Sequence, residues 1–218
     1  MNAMTEPVMT NEIEKKSPSI LGIIWSPSEH FTRMKEKPKI WGPLLIIILL
    51  FIVASIFISM NTNLSIEGIS EEDLDLLKPF LIATSVITGI ITPILTALMS
   101  SLIYLLIARI ARSTVSFRQL FSMNVYLLLI TALSMLVNGI GMMITGSATS
   151  TFTNLNTLIP ADGTLKAIFD NIEVFTIWSV ILLAIGLQKV ASFSKGLAWG
   201  VSIGFYLLSI FFSIMGLA

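Results

Sequence analysis

An all-α polytopic membrane helical bundle, with five transmembrane helices preceded by a short amphipathic membrane-surface helix, is the fold class this sequence predicts. Three observations carry it. Of 218 residues, 55 % are hydrophobic and only 12 % charged, against roughly 25 % charged in an ordinary soluble domain, and the mean hydropathy is +0.89. From Ile40 to Met60 the chain runs without a single charge, and about 20 apolar residues are what a helix needs to cross a hydrocarbon core roughly 30 Å thick. The 13 basic residues collect in alternate loops, as they do in a chain that weaves through a bilayer.

Residues 1–17 are polar and lack the apolar core and cleavage site of a secretory signal, so they are expected to form a disordered cytoplasmic tail. Residues 18–39 form a juxtamembrane arm. Ser26, Pro27 and Glu29 mark a helix start by the N-cap, first-position proline and capping-box rules. Phe31 and Met34, one turn apart, give that helix an apolar edge beside Arg33, Lys35, Lys37 and Lys39. Such a piece lies on the membrane surface or packs on its own bundle.

The membrane domain, residues 40–218, has spans expected at about 40–60, 80–108, 120–144, 172–189 and 196–218. Span one starts beside Trp41, with Pro43 in its first turn, where a missing N–H costs nothing. The acidic segment that follows contains Glu71, Glu72, Asp73 and Asp75 but lacks the glycine turn and alternating ligands of a calcium loop. It reads as a solvated face. Span two is longer than the bilayer core, so it must tilt, kink or protrude, and Pro93 cannot donate to the carbonyl of Gly89. Hydroxyls recur along it at Thr84, Thr88, Thr92, Thr96, Ser100 and Tyr104, a row that winds round the helix. Small-residue packing is the ordinary explanation; the alternative is a polar pathway through Thr88, Thr92, Pro93, Thr96 and Asn138.

Ser116 and Gln119 form a capping box into span three, which carries Asn124 and Asn138 at membrane depth, where an amide must find a partner in protein or water. Residues 146–171 read as a polar loop with a turn at Pro160-Ala161-Asp162-Gly163. Span four is the weakest, since only Val174 to Leu187 is free of charge. In span five Gly196, Gly200 and Gly204 make two overlapping GxxxG motifs, suited to close packing within the bundle or to a homodimer seam.

With five spans, every basic residue except Lys78 and Lys166 falls on one side, including Arg109, Arg112 and Arg118. The positive-inside rule then places the N-terminus in the cytoplasm and the C-terminus outside. These cations lie next to the membrane and point to anionic lipid headgroups as partners, with no nucleic acid. No Asp, Glu, Lys, Arg or His sits in the interior of any expected span, Glu173 and Lys189 falling at opposite headgroup levels of span four, which disfavours proton-coupled transport. The chain has no cysteine and one histidine, His30, and carries no P-loop, HExxH, GxSxG or dinucleotide glycine pattern. No catalytic residue, metal site or cofactor is therefore expected; a lone histidine on a basic helix reads as solvated.

The stretch Ile24-Trp25-Ser26-Pro27-Ser28-Glu29-His30-Phe31, followed by Trp41-Gly42-Pro43-Leu44, resembles the opening of the Yip family of five-span membrane proteins. Ser116-Phe117-Arg118-Gln119 with Tyr126, and Trp178 with Ile185-Gly186-Leu187 ahead of Lys189, are similar to its later landmarks. The Asp-Leu-Tyr-Gly-Pro stretch of the eukaryotic trafficking members is absent, and the compact arm and short loops look like the bacterial branch. That branch implies a non-enzymatic, multi-pass plasma-membrane protein in a bacterium. It would be an accessory or assembly partner of ABC transporter subunits, serving in envelope stress or protection against a toxic peptide. A small lipid or solute carrier is the alternative, and a homo-oligomer through the glycine row fits either.

Overall fold

The computed structural model describes residues 17–61, 71–145 and 152–216. Those residues form nine helices in chain order: α1 Gly22–Trp25, α2 Pro27–Glu36, α3 Trp41–Asn61, α4 Glu71–Ile110, α5 Phe117–Thr145, α6 Leu155–Leu158, α7 Gly163–Asn171, α8 Val174–Lys189 and α9 Lys195–Ile214. Four stretches are long and apolar enough to cross a membrane: Trp41–Met60, Leu76–Ile110, Phe117–Ile144 and Lys195–Ile214. α8 is apolar but shorter, with 16 residues. At about 1.5 Å per residue it covers roughly 24 Å, less than a full hydrocarbon core.

Side-chain burial follows from the solvent that such helices meet. Leu45, Leu49 and Val53 recur every fourth residue on α3 and are exposed, whereas Leu44, Ile47 and Phe51 turn inward. Lipid tails solvate an exposed leucine, while no lipid can satisfy a backbone N–H; long helices with apolar outer faces are the result. α3, α4 and α5 pack on one another, α8 packs on α5 and on α9, and α2 rests on α5 and α8. Leu120, Met123, Tyr126, Leu129 and Ile130 of α5 and Leu182 and Leu187 of α8 are the centre of the buried cluster. α5 is the helix on which the others assemble.

Several details extend or correct the sequence reading. α4 begins at Glu71 and runs for 40 residues through Pro79 and Pro93, so the acidic segment continues into the same helix. The region read as one polar loop contains α6 and α7, and Gly163, at φ +57°, takes the left-handed backbone at the turn between them. Ser26 stands at the N-cap of α2 but makes no side-chain cap. Its N–H bonds to the carbonyl of Gly22 to end α1, and Glu29 pairs with Arg33 one turn on. The second capping box forms reciprocally, Ser116 N–H to Gln119 Oε1 at 2.8 Å and Gln119 N–H to Ser116 Oγ at 3.3 Å. The expected tail, except Ser17, and the start of the acidic segment lie outside the described residues.

Candidate functional site

Three places gather chemistry: the docked arm, a polar knot at the opposite end of the bundle, and the row of glycines on α9. At the first, the apolar edge of α2 is spent on the bundle, with Phe31 and Met34 fully buried. Polar bonds hold the rest of the arm. Gln119 Nε2 donates to the Lys35 carbonyl at 2.6 Å, Ser122 Oγ to the Lys39 carbonyl at 2.8 Å, and the Tyr126 hydroxyl to the Pro18 carbonyl at 3.3 Å. Gly186 lets α8 come close, since a Cβ there would lie 2.8 Å from Met123 Sδ and 3.3 Å from Phe31 Cζ. Phe31, Gln119, Tyr126 and Gly186, separate landmarks in the sequence, thus meet at one dock.

His30 is buried, contrary to its expected solvation. Its Nδ1 accepts the Ser19 backbone N–H at 3.0 Å, which requires the neutral ring with its proton on Nε2. Burial lowers its pKa from the ordinary value of 6.5, the neighbouring Arg33 lowers it further, and Glu29 acts in the opposite direction. A folded pKa below the unfolded one means that acid favours the undocked arm. Docking is complete above pH 6.5 and weakens as pH falls through that value towards the lowered one. Hydrogen exchange across residues 18–36 is expected to be faster at pH 5 than at pH 8, and His30→Gln should flatten the difference. Gly22→Ala should open the arm at both pH values, because its Cβ would lie 2.0 Å from His30 Nε2.

Around this end lie the basic residues of the surface reading. Arg33 pairs with Glu29, and Lys35 Nζ donates to Ser192 Oγ at 2.6 Å. Lys37, Lys39, Arg109, Arg112 and Arg118 are exposed. Arg112 and Ser192 both adopt φ +57° in the tight reversals before α5 and α9. Ser113 Oγ ties the two reversals together by donating to the Ala191 carbonyl at 2.5 Å. Between them is a hollow of about 320 Å³ lined by Arg112, Ser113, Thr114, Ser192 and Ser194.

The polar knot is built on Glu173, the N-cap residue of α8. Its Oε1 accepts Ser134 Oγ at 2.5 Å, Thr153 Oγ1 at 2.6 Å and Asn138 Nδ2 at 3.0 Å, and its Oε2 accepts Thr176 Oγ1 at 3.0 Å. Thr153 Oγ1 also lies 3.2 Å from Asn138 Oδ1, but a hydroxyl has one proton, and the shorter contact is to the carboxylate. Asn138 Oδ1 accepts the Thr153 N–H at 3.3 Å, and Asn154 pairs with Glu173 in an isolated antiparallel bridge. The knot fastens the segment before α8 to α5. Sequence reading singled out Asn138 but missed Ser134 and Thr153; the usable signal was a carboxylate beside an apolar helix, facing an asparagine at similar depth.

The residues of the polar-pathway reading are not gathered in one place. Thr88, Thr92 and Thr96 are exposed along α4, Pro93 is buried within it, and Asn138 belongs to the knot. Thr84 donates to the Phe80 carbonyl of its own helix at 2.9 Å, as the packing explanation expects. Asn124 bonds Ser101 Oγ across the α4–α5 contact at 2.8 Å. On α9, a Cβ added at Gly196, Gly200 or Gly204 would meet nothing within 4 Å. The glycine row is open among the described residues. Among the described residues no group of three or more His, Cys, Asp or Glu is placed to hold a metal ion.

The Yip1 domain matches residues 21–217. The chain is similar to Membrane protein YknW of Bacillus subtilis (strain 168), at 32 % identity over 220 residues that cover 94 % of this chain and 95 % of that protein. No solved structure matches the chain significantly. The match spans nearly all of a helical membrane bundle, and the chain belongs to the Yip1 domain family.

Proposed function

We propose that this protein is a non-enzymatic integral membrane subunit that assembles with, or modulates, a multi-subunit transporter of the ABC exporter type in envelope protection. The observation that carries the reading is the open row Gly196, Gly200 and Gly204. Without a Cβ, three successive turns of α9 let another helix backbone approach closely, and in lipid such approach is what drives association. Among the described residues nothing packs against that face. The toxic-peptide role comes from the resemblance to the bacterial branch alone. A strain lacking the protein is expected to lose assembly of one ABC exporter, seen as missing subunits on native gels. Normal assembly and transport by every such exporter would overturn the proposal.

In this reading α8 crosses as the fourth of five spans, shortened by the knot at one end and the docked arm at the other. The N-terminus lies in the cytoplasm of a bacterium, the C-terminus lies outside, and the basic end meets anionic headgroups of the inner leaflet. Because the chain has no cysteine, single introduced thiols report topology cleanly. A membrane-impermeant maleimide is expected to label Met215→Cys in intact cells and Lys37→Cys only after permeabilisation. Labelling of both from one side would leave an even number of crossings.

A further inference from the structure

α4 and α8 both pack on α5 without packing closely on each other, and between them lies a crevice of about 150 Å³. Its walls carry Thr96, Ser100 and Tyr104 from α4, Asn124 and Thr131 from α5, and Ser179 from α8. None of its lining residues is Asp, Glu, Lys, Arg or His. Thr96 and Thr131 are exposed, so the crevice opens on the flank of the bundle. Counted back from Arg109 at about 1.5 Å per residue, Tyr104, Ser100 and Thr96 lie about 8, 14 and 20 Å along α4 from the basic end. This is a polar crevice at hydrocarbon depth.

Asn124 is 5 % exposed, and its partners dictate how its amide points. Nδ2 donates to the Leu120 carbonyl at 3.1 Å and to Ser101 Oγ at 2.8 Å, while Ser101 gives its own proton to the Ala97 carbonyl at 2.5 Å. A carbonyl only accepts, and the Ser101 proton is already committed, so the amide cannot be turned round. Oδ1 is left as an acceptor without a donor among the described residues. Tyr104, 8 % exposed, sets its ring edge-on to Phe205 with centroids 5.5 Å apart, and its hydroxyl makes no hydrogen bond to the described residues. No buried side-chain N or O there is both sealed from solvent and unpartnered, so these two oxygens face accessible space. That space is the crevice both residues line.

The geometry points to a lipid site: the crevice receives the hydroxyl-bearing end of a neutral, membrane-dissolved glycerolipid of the diacylglycerol class. Asn124 Oδ1 calls for an O–H donor, and the Tyr104, Ser100 and Ser179 hydroxyls can donate to ester carbonyls. With no cation in the walls, a phosphate or carboxylate at this depth would be buried without a counter-charge. The space exceeds the ~10–15 Å³ that one water needs, so it admits a polar group of several heavy atoms while acyl chains stay in lipid beyond Thr96 and Thr131. This site is separate from the glycine row, so loss of lipid binding and loss of transporter partners are distinguishable.

The test uses the full-length protein in phosphatidylcholine nanodiscs containing a photoactivatable diacylglycerol, with mass spectrometry of the labelled peptides. Saturable labelling is expected in peptides carrying Thr96–Tyr104 and Asn124–Thr131, with unlabelled diacylglycerol competing and phosphatidic acid failing to compete. Ser179→Leu, which fills the crevice, should cut labelling at least about tenfold. Tyr104→Phe, which keeps the ring against Phe205, should cut it about fivefold by removing one hydrogen bond. Diffuse, unsaturable labelling, labelling indifferent to Tyr104→Phe, or equal competition by phosphatidic acid would each overturn the proposal.

Discussion

Alanine at position 89 is expected to destabilise the bundle by about 1–3 kcal/mol, the usual cost of overpacking a close contact. The new Cβ would lie 2.7 Å from Ile52 Cα and 2.9 Å from Ile52 N. Those are backbone atoms of α3, which cannot swing aside as the end of a side chain can. α3 and α4 would have to separate along their whole contact. Titration of the protein in mixed micelles with SDS reads the effect directly. Gly200→Ala is the internal control, since a methyl group there meets nothing within 4 Å and should shift stability by less than about 0.5 kcal/mol. Equal behaviour of the two variants would contradict the assigned packing.

Glu173→Leu is expected to cost about 2–4 kcal/mol, because it strands the donors of Ser134, Asn138, Thr153 and Thr176 that now share one half-buried carboxylate. Glu173→Gln keeps one acceptor oxygen but turns an N–H towards the same donors, so it should fall between leucine and the native residue. The local signature is faster hydrogen exchange across residues 152–173, with the arm at residues 18–36 unchanged. A leucine variant as stable as the native protein would show that the knot contributes nothing to holding α8.

Much of the bundle was legible because a charge-free apolar run of bilayer length has few other uses, as α3 demonstrates. The bounds of α4 were less legible. Its apolar part ends near Phe80, but a helix is held by its own backbone bonds and continues through the acidic residues to Glu71. α6 and α7 were hidden for a related reason, since they are too short for periodicity to reveal them in a polar segment. The capping box at Ser116 and Gln119 was readable because every atom it needs lies within four residues. By contrast, Asn138 announces only that it needs a partner. That the partner is Glu173, 35 residues on, is a product of tertiary packing. His30 was misread because its burial depends on Gly22 and Ser19 folding back over it. The glycine row was legible as a place for close packing, though only the structure shows that no other described residue fills it.

The accessory reading rests on that empty face, and its most direct test is a tagged pull-down from native membranes in mild detergent, with mass spectrometry of proteins and lipids. Stoichiometric transporter subunits that disappear on Gly200→Leu are the predicted result. Recovery of the protein alone, or only with copies of itself, would contradict it.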